Sequence, residues 1–270
     1  MDAADRDDPF PFIALPASRS RKKPRRTGLT MMADFGLTRE HTESVLGLSG
    51  DFIDFAKIAV GTARLYSRPY LISKLDLYKR NAVRPFIGGQ FGEYILAVQG
   101  RQALPRFFDE AVALGFSTIE ISDNCVPLTE SERRDIIREA IAAGLCVFGE
   151  VGSKDRKTNA DELIEQAGNC LAAGAELVLV EAAELVDNGQ LNEELIGALT
   201  DRLDLSRVMI ELPGPWISGV TLAQVYDMRK LLIKAFGPDI NIANVKPDDV
   251  FDTEALRVGL GVVGPSVRAS

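Results

Sequence analysis

From Gly28 onward the chain repeats one pattern. A short apolar run ends in polar or glycine residues, a stretch with helical periodicity follows, and another apolar run begins. The strand-like runs fall at residues 29–33, 52–60, 83–87, 118–121, 146–148, 177–180, 208–210 and 239–243. Most are too short for helices and lack polar alternation, as expected for strands covered on both faces. Helical stretches begin near Thr38, Ala63, Arg101, Thr129, Asn159, Asn192, Ser218 and Pro247. Thr129-Glu130-Ser131-Glu132 opens one with a capping residue and early acids, and Ala142-Ala143-Gly144 closes it. Ala172-Ala173-Gly174 closes the next in the same way. Eight strand–helix pairs within the length of one large domain predict an α/β fold, a (β/α)8 TIM barrel. A doubly wound open sheet is the rival, and no GxGxxG follows the first run to support it.

The barrel is expected over residues 27–263, with a tail at 264–270. Residues 1–26 differ: Asp and Pro dominate the start, and Arg19-Ser20-Arg21-Lys22-Lys23-Pro24-Arg25-Arg26 is a block of positive charge. This extension is expected to be mobile or to lie along the surface, as a solvated segment or as a phosphate- or partner-binding arm. It lacks the apolar core of a secretory signal.

In a barrel of this kind the carboxyl ends of the strands converge on one mouth, where ligands bind. The residues expected there are Asp34, Lys57, Glu93, Glu120, Asp123, Glu150, Lys154, Glu181, Glu211 and Asn244. Carboxylates that share a cavity need a cation, and Lys57, Lys154 and a metal ion are the candidates. Each residue taken singly also reads as a strand-end salt bridge. The fifth run, Cys146-Val147-Phe148-Gly149-Glu150-Val151-Gly152-Ser153-Lys154, concentrates the chemistry: a strand, then a carboxylate, a glycine turn and an amine.

Other chemistries are narrowed by what the chain lacks. A net charge of −8 argues against a general nucleic-acid binder. No apolar run approaches the length that spans a membrane. The one histidine, His41, lies in a polar helical stretch and reads as a surface residue, which leaves proton transfer to Lys, Asp, Glu or Tyr. Three cysteines without a CxxC pair suggest a reducing compartment, and a cytoplasmic location is expected. Any metal is then a hard, oxygen-liking ion such as Mg2+.

The strand-end residues also carry a resemblance. Gly28-Leu-Thr-Met-Met-Ala-Asp34, Gly50-Asp-Phe-Ile-Asp-Phe-Ala-Lys57 with Gly61-Thr62, Gly88-Gly89, Ile119-Glu-Ile-Ser-Asp123, Glu150-Val-Gly-Ser-Lys154, Val180-Glu181, Glu211-Leu-Pro213 and Asn241-Ile-Ala-Asn244 resemble phosphosulfolactate synthase, in that family's order and nearly its spacing. The chain reads as a divergent member. The resemblance implies a Mg2+-dependent lyase that adds sulfite to phosphoenolpyruvate through an enolate-type intermediate. It implies Lys154 as the residue that protonates the substrate carbon. From their places at the strand ends and in the loops above them, Glu150 and Lys57 are expected to join Lys154 as catalytic residues, Glu120, Asp123, Glu150 and Glu181 are the expected metal ligands, and Asp34, Gln90, Trp216 and Asn244 are the expected substrate-binding residues. A small-molecule substrate and a homo-oligomer are expected with it.

The departures are specific. Where the family has a lysine after the first strand, this chain has Phe35; where it has a threonine after the glycine pair, it has Gln90. The family's Gly-Arg-Glu-Ser-Gly after the sixth strand is Ala182-Ala183-Glu184-Leu185-Val186 here. Its polar run after the seventh is Gly214-Pro215-Trp216-Ile217-Ser218-Gly219. Trp216 reads either as a rim-packing residue or as one wall of an altered pocket. Two other functions therefore stay open: a carbon–carbon or carbon–oxygen lyase for a less charged substrate, aromatic ones included, and a non-catalytic, stress-related binding protein on the same barrel.

Overall fold

The computed structural model describes residues 9–16, 18–19, 21–152, 159–187, 190–214 and 217–262. Eight strands run parallel and close on themselves: Thr30–Asp34, Phe55–Ile58, Arg84–Ile87, Thr118–Ile121, Cys146–Val151, Leu177–Glu181, Val208–Glu211 and Ile242–Val245. Each pairs with its sequence neighbour in the barrel, and the eighth pairs with the first. This is the (β/α)8 barrel that the repeat predicts.

Helices form where the caps predict them. Thr129 and Glu132 make a reciprocal capping box before helix Glu130–Ala142. Asn159, Asn192 and Thr38 each accept a backbone N–H at their helix starts. Four starts lie a few residues later than the pattern suggests, among them helix Leu222–Phe236, which begins after the capping residue Thr221. Single 3-10 turns occupy Thr62–Leu65, Arg101–Ala103 and Pro247–Asp249 ahead of helices Arg68–Arg80, Leu104–Leu114 and Val250–Arg257. Two helices, Gly89–Gln99 and the four-residue Ala182–Leu185, are not expected from the pattern. The eighth strand begins at Ile242 rather than 239 because Asn241 is a pin: its side chain accepts from Leu29 N at 2.9 Å and donates to the carbonyls of Leu205, Ser206 and Val208.

The two-residue period of a strand sorts every side chain to one of two sides. Met32, Ala56, Ile58, Ile119, Ile121, Val147, Val178, Val180, Val208 and Ile210 face outward into the layer shared with the helices. Met31, Phe55, Phe86, Phe148, Leu179 and Met209 face inward and fill the barrel. Phe148 meets Phe55 and Phe86 edge-on, each at 5.1 Å between ring centres. Arg84, which pairs with Glu176, lies over Phe55 and Phe148 from below. The interior is therefore plugged, and the next inward layer toward the carboxyl ends is polar.

The basic block contributes to the opposite, N-terminal rim. Arg19 donates to Glu254 at 2.7 and 3.0 Å and to the Gly28 carbonyl. Arg25 pairs with Asp54, just before the second strand. Lys23 donates to the carbonyls of Gly50, Ile53 and Ala82. No helix among the described residues is long and apolar enough to cross a membrane.

Candidate active site

Two residues above the aromatic plug, the same inward parity presents Lys57, Glu120, Glu150, Glu181 and Glu211. All five are buried. Glu181 and Glu211 are register partners on adjacent strands, an arrangement of like charges that costs energy unless a cation joins them. Lys57 Nζ lies 2.8 Å from Glu120 Oε2 and 2.7 Å from Glu211 Oε1. Burial works to lower the Lys57 pKa, but the carboxylates of Glu120, Glu211 and Glu150 outweigh it and hold the ammonium well above the ordinary lysine range.

Glu150, Glu181 and Glu211 each offer an oxygen within 4.8 Å of the others. A cavity of about 250 Å3 opens above them, lined by Phe35, Lys57, Ala59, Val60, Gly88, Gly89, Gln90, Glu120, Glu150, Glu211 and Asn244. Asn244 adopts φ 57°, a left-handed conformation that Asn tolerates, and its amide donates to Leu212 O. Val60 at φ 48° is a β-branched residue in the same region, and backbone strain of this kind collects at functional sites. Gly89 permits the close approach that builds one wall. A Cβ there would lie 2.2 Å from Ser122 Oγ and 2.9 Å from Glu120 Oε1, whereas the bare backbone N–H donates to Glu120 at 2.8 Å.

The residues expected at the mouth thus separate. Lys57, Gln90, Glu120, Glu150 and Asn244 line the cavity, and Glu181 joins the carboxylate group. Asp34 faces the other way. Its inward neighbours are Met31 and Ala33, and its carboxylate accepts from Gly36 N, Leu37 N and Tyr78 Oη and pairs with Lys74 at 2.7 Å. Asp123 is engaged by Arg133 of helix Glu130–Ala142 and stands outside the three-carboxylate group. Glu93 holds the loop after the fourth strand rather than facing the cavity. Glu211, one of the expected strand-end residues but not of the expected metal ligands, is a member of the group. Parity signals it, since Met209 and Glu211 share the inward side. Lys154 and Trp216 lie outside the described residues.

The donor set fits a hard divalent cation: all oxygen, buried, and from three neighbouring strands. It does not fit a thiolate site. Cys146 lies at the far end of its strand, Cys170 is buried on the outer face, and Cys125 is exposed.

Comparison with known proteins gives a consistent set of relatives. A family model described as (2R)-phospho-3-sulfolactate synthase (ComA) matches residues 18–262. The phosphosulfolactate synthase of Methanothermobacter thermautotrophicus is 33% identical over 262 residues, covering 93% of this chain and 95% of its own. That of Methanocaldococcus jannaschii is 31% identical, covering 86% and 92%. Protein HEAT-STRESS-ASSOCIATED 32 of Arabidopsis thaliana is 24% identical, covering 87% of each chain.

Proposed function

This chain belongs to the (2R)-phospho-3-sulfolactate synthase family, enzymes of lyase type, and on that premise we propose that it adds sulfite to phosphoenolpyruvate at the barrel mouth. The observation that carries the reading is the buried group of Glu150, Glu181 and Glu211 beside Lys57. In this reaction the sulfur lone pair forms a bond to the methylene carbon. The double-bond electrons move toward the neighbouring carbon and spread into the substrate carboxylate. A proton then reaches that carbon, and the phosphate ester is kept. Negative charge therefore develops on the carboxylate oxygens, and the site must stabilise it.

Glu150, Glu181 and Glu211 would hold Mg2+. When bound, the ion supplies positive charge against the substrate carboxylate as that charge develops. Lys57 supplies a second, fixed positive charge. Because its neighbours hold it protonated well above neutral pH, it serves to bind and orient an anion rather than to give up a proton. Glu120 and Glu211 fix the amine in place and so limit the freedom lost on binding. Lys154 is the proposed proton donor to the substrate carbon. Asn244 and Gln90 offer neutral donors along the cavity wall.

A second reading rests on Phe35. It lines the same cavity where a cationic side chain would suit a phosphorylated anion. It favours a related addition or elimination on a less charged substrate. One experiment separates the two: purified protein is incubated with sulfite, phosphoenolpyruvate and Mg2+ and followed by phosphorus NMR. A new phosphate-ester resonance, lost with chelator and in Glu150→Gln, supports the first reading. Intact phosphoenolpyruvate at every sulfite concentration would sink it.

A further inference from the structure

We infer that Asn124 is a positioning residue for the Glu150 carboxylate, and that Glu93 is the anchor that holds Asn124 in place. The inference rests on the divalent-cation reading of the three-glutamate group. Asn124 Nδ2 donates to Glu150 Oε1 at 2.7 Å. A carboxylate only accepts, so this contact sets the amide's orientation as well as the carboxylate's. One oxygen of Glu150 is thereby tethered from the loop after the fourth strand. The group Glu150 shares with Glu181 and Glu211 depends on where its oxygens lie.

A loop residue positions a ligand only if the loop is itself held. Glu93 does this from helix Gly89–Gln99, where it is 2% exposed. Its carboxylate accepts from the Ser122 hydroxyl and from the backbone N–H groups of Cys125 and Val126, the latter at 2.9 Å. These donors flank Asn124 on both sides. A buried carboxylate is costly unless satisfied, and three donors from one short segment satisfy it. The first turn of the same helix is fastened to the fourth strand by Gly89 N donating to Glu120. The chain of contacts runs from helix to loop to Asn124 to Glu150. It acts by orientation, the manner in which outer partners of metal-binding carboxylates tune affinity.

The test is a Mn2+ titration of the full chain after metal removal, with free Mn2+ read by electron paramagnetic resonance. Thermal melts of each variant run alongside. Asn124→Ala should weaken Mn2+ binding about 10–100-fold while the melting temperature holds. Glu93→Ala should weaken it in the same direction although Asn124 is still present, because the backbone N–H groups of Cys125 and Val126 and the Ser122 hydroxyl all lose their acceptor. Wild-type affinity in Asn124→Ala, with binding lost in Glu150→Gln, would overturn this inference and leave the cation site standing. Absence of Mn2+ binding by the wild-type chain would remove the cation site, and the positioning role with it.

Discussion

Lys57→Met removes the ammonium from the inward polar layer and keeps most of the side-chain volume. The two ion pairs it breaks are short, at 2.8 and 2.7 Å, and both partners are buried. At an effective dielectric of about 20, each contact is worth roughly 6 kcal/mol of Coulomb attraction. Desolvation of the ammonium and the carboxylates offsets much of that, and removing one partner of a buried pair typically costs about 3–5 kcal/mol. For a chain of this size that is a fall in melting temperature of roughly 6–20 °C. The measurement is thermal and urea unfolding in EDTA, so that no cation replaces the lost charge. The sign with pH follows from the raised pKa. A lysine whose folded value lies above its ordinary 10.5 contributes stability that is complete below 10.5 and is lost only above it. The wild-type advantage over Lys57→Met arising from the ammonium should therefore stay flat from about pH 7 to 9. A variant within about 1 kcal/mol of wild type would show that the ammonium does not hold the carboxylates together.

Lys154→Ala should slow the chemical step about 10²–10⁴-fold without lowering the melting temperature, and Lys154→Arg should not rescue it, in single-turnover assays. Lys74→Met, which breaks the buried pair with Asp34, should cost about 3–5 kcal/mol in urea unfolding. It should also speed amide exchange at Gly36 and Leu37, whose N–H groups Asp34 accepts. Burial pushes the Cys170 thiol up to about 11, so iodoacetamide at neutral pH should label Cys125 and Cys146 in the native protein and reach Cys170 only after unfolding, as read by peptide mass.

The barrel was legible because its strands are buried on both faces and therefore read as bare apolar runs between capped helices. Helix Gly89–Gln99 was not legible. Gly89 and Gly92 lower its local propensity, and it forms through packing, with Gly92 set against Phe107. The site was legible to the level of which strand ends carry charge. The distinction between inward and outward needed the parity of each strand, and a run without alternation does not display it. Asp34 shows the consequence: it ends a strand as Glu211 does, yet it faces Lys74 and Tyr78 on the outer side. Asp123 shows another limit, since its partner Arg133 lies on the following helix and only the fold brings them together. Asn124 has no signal of its own in the sequence. It gains its place from the bonds Glu93 makes to its neighbours Ser122, Cys125 and Val126, which join two elements that the repeat pattern does not relate.

The most direct test is anomalous diffraction from crystals soaked in Mn2+. A single manganese peak is expected among Glu150, Glu181 and Glu211, with carboxylate oxygens at about 2.0–2.2 Å. An empty group with manganese at Asp123 instead, or only at exposed carboxylates, would contradict the assignment of these three buried glutamates as the cation site.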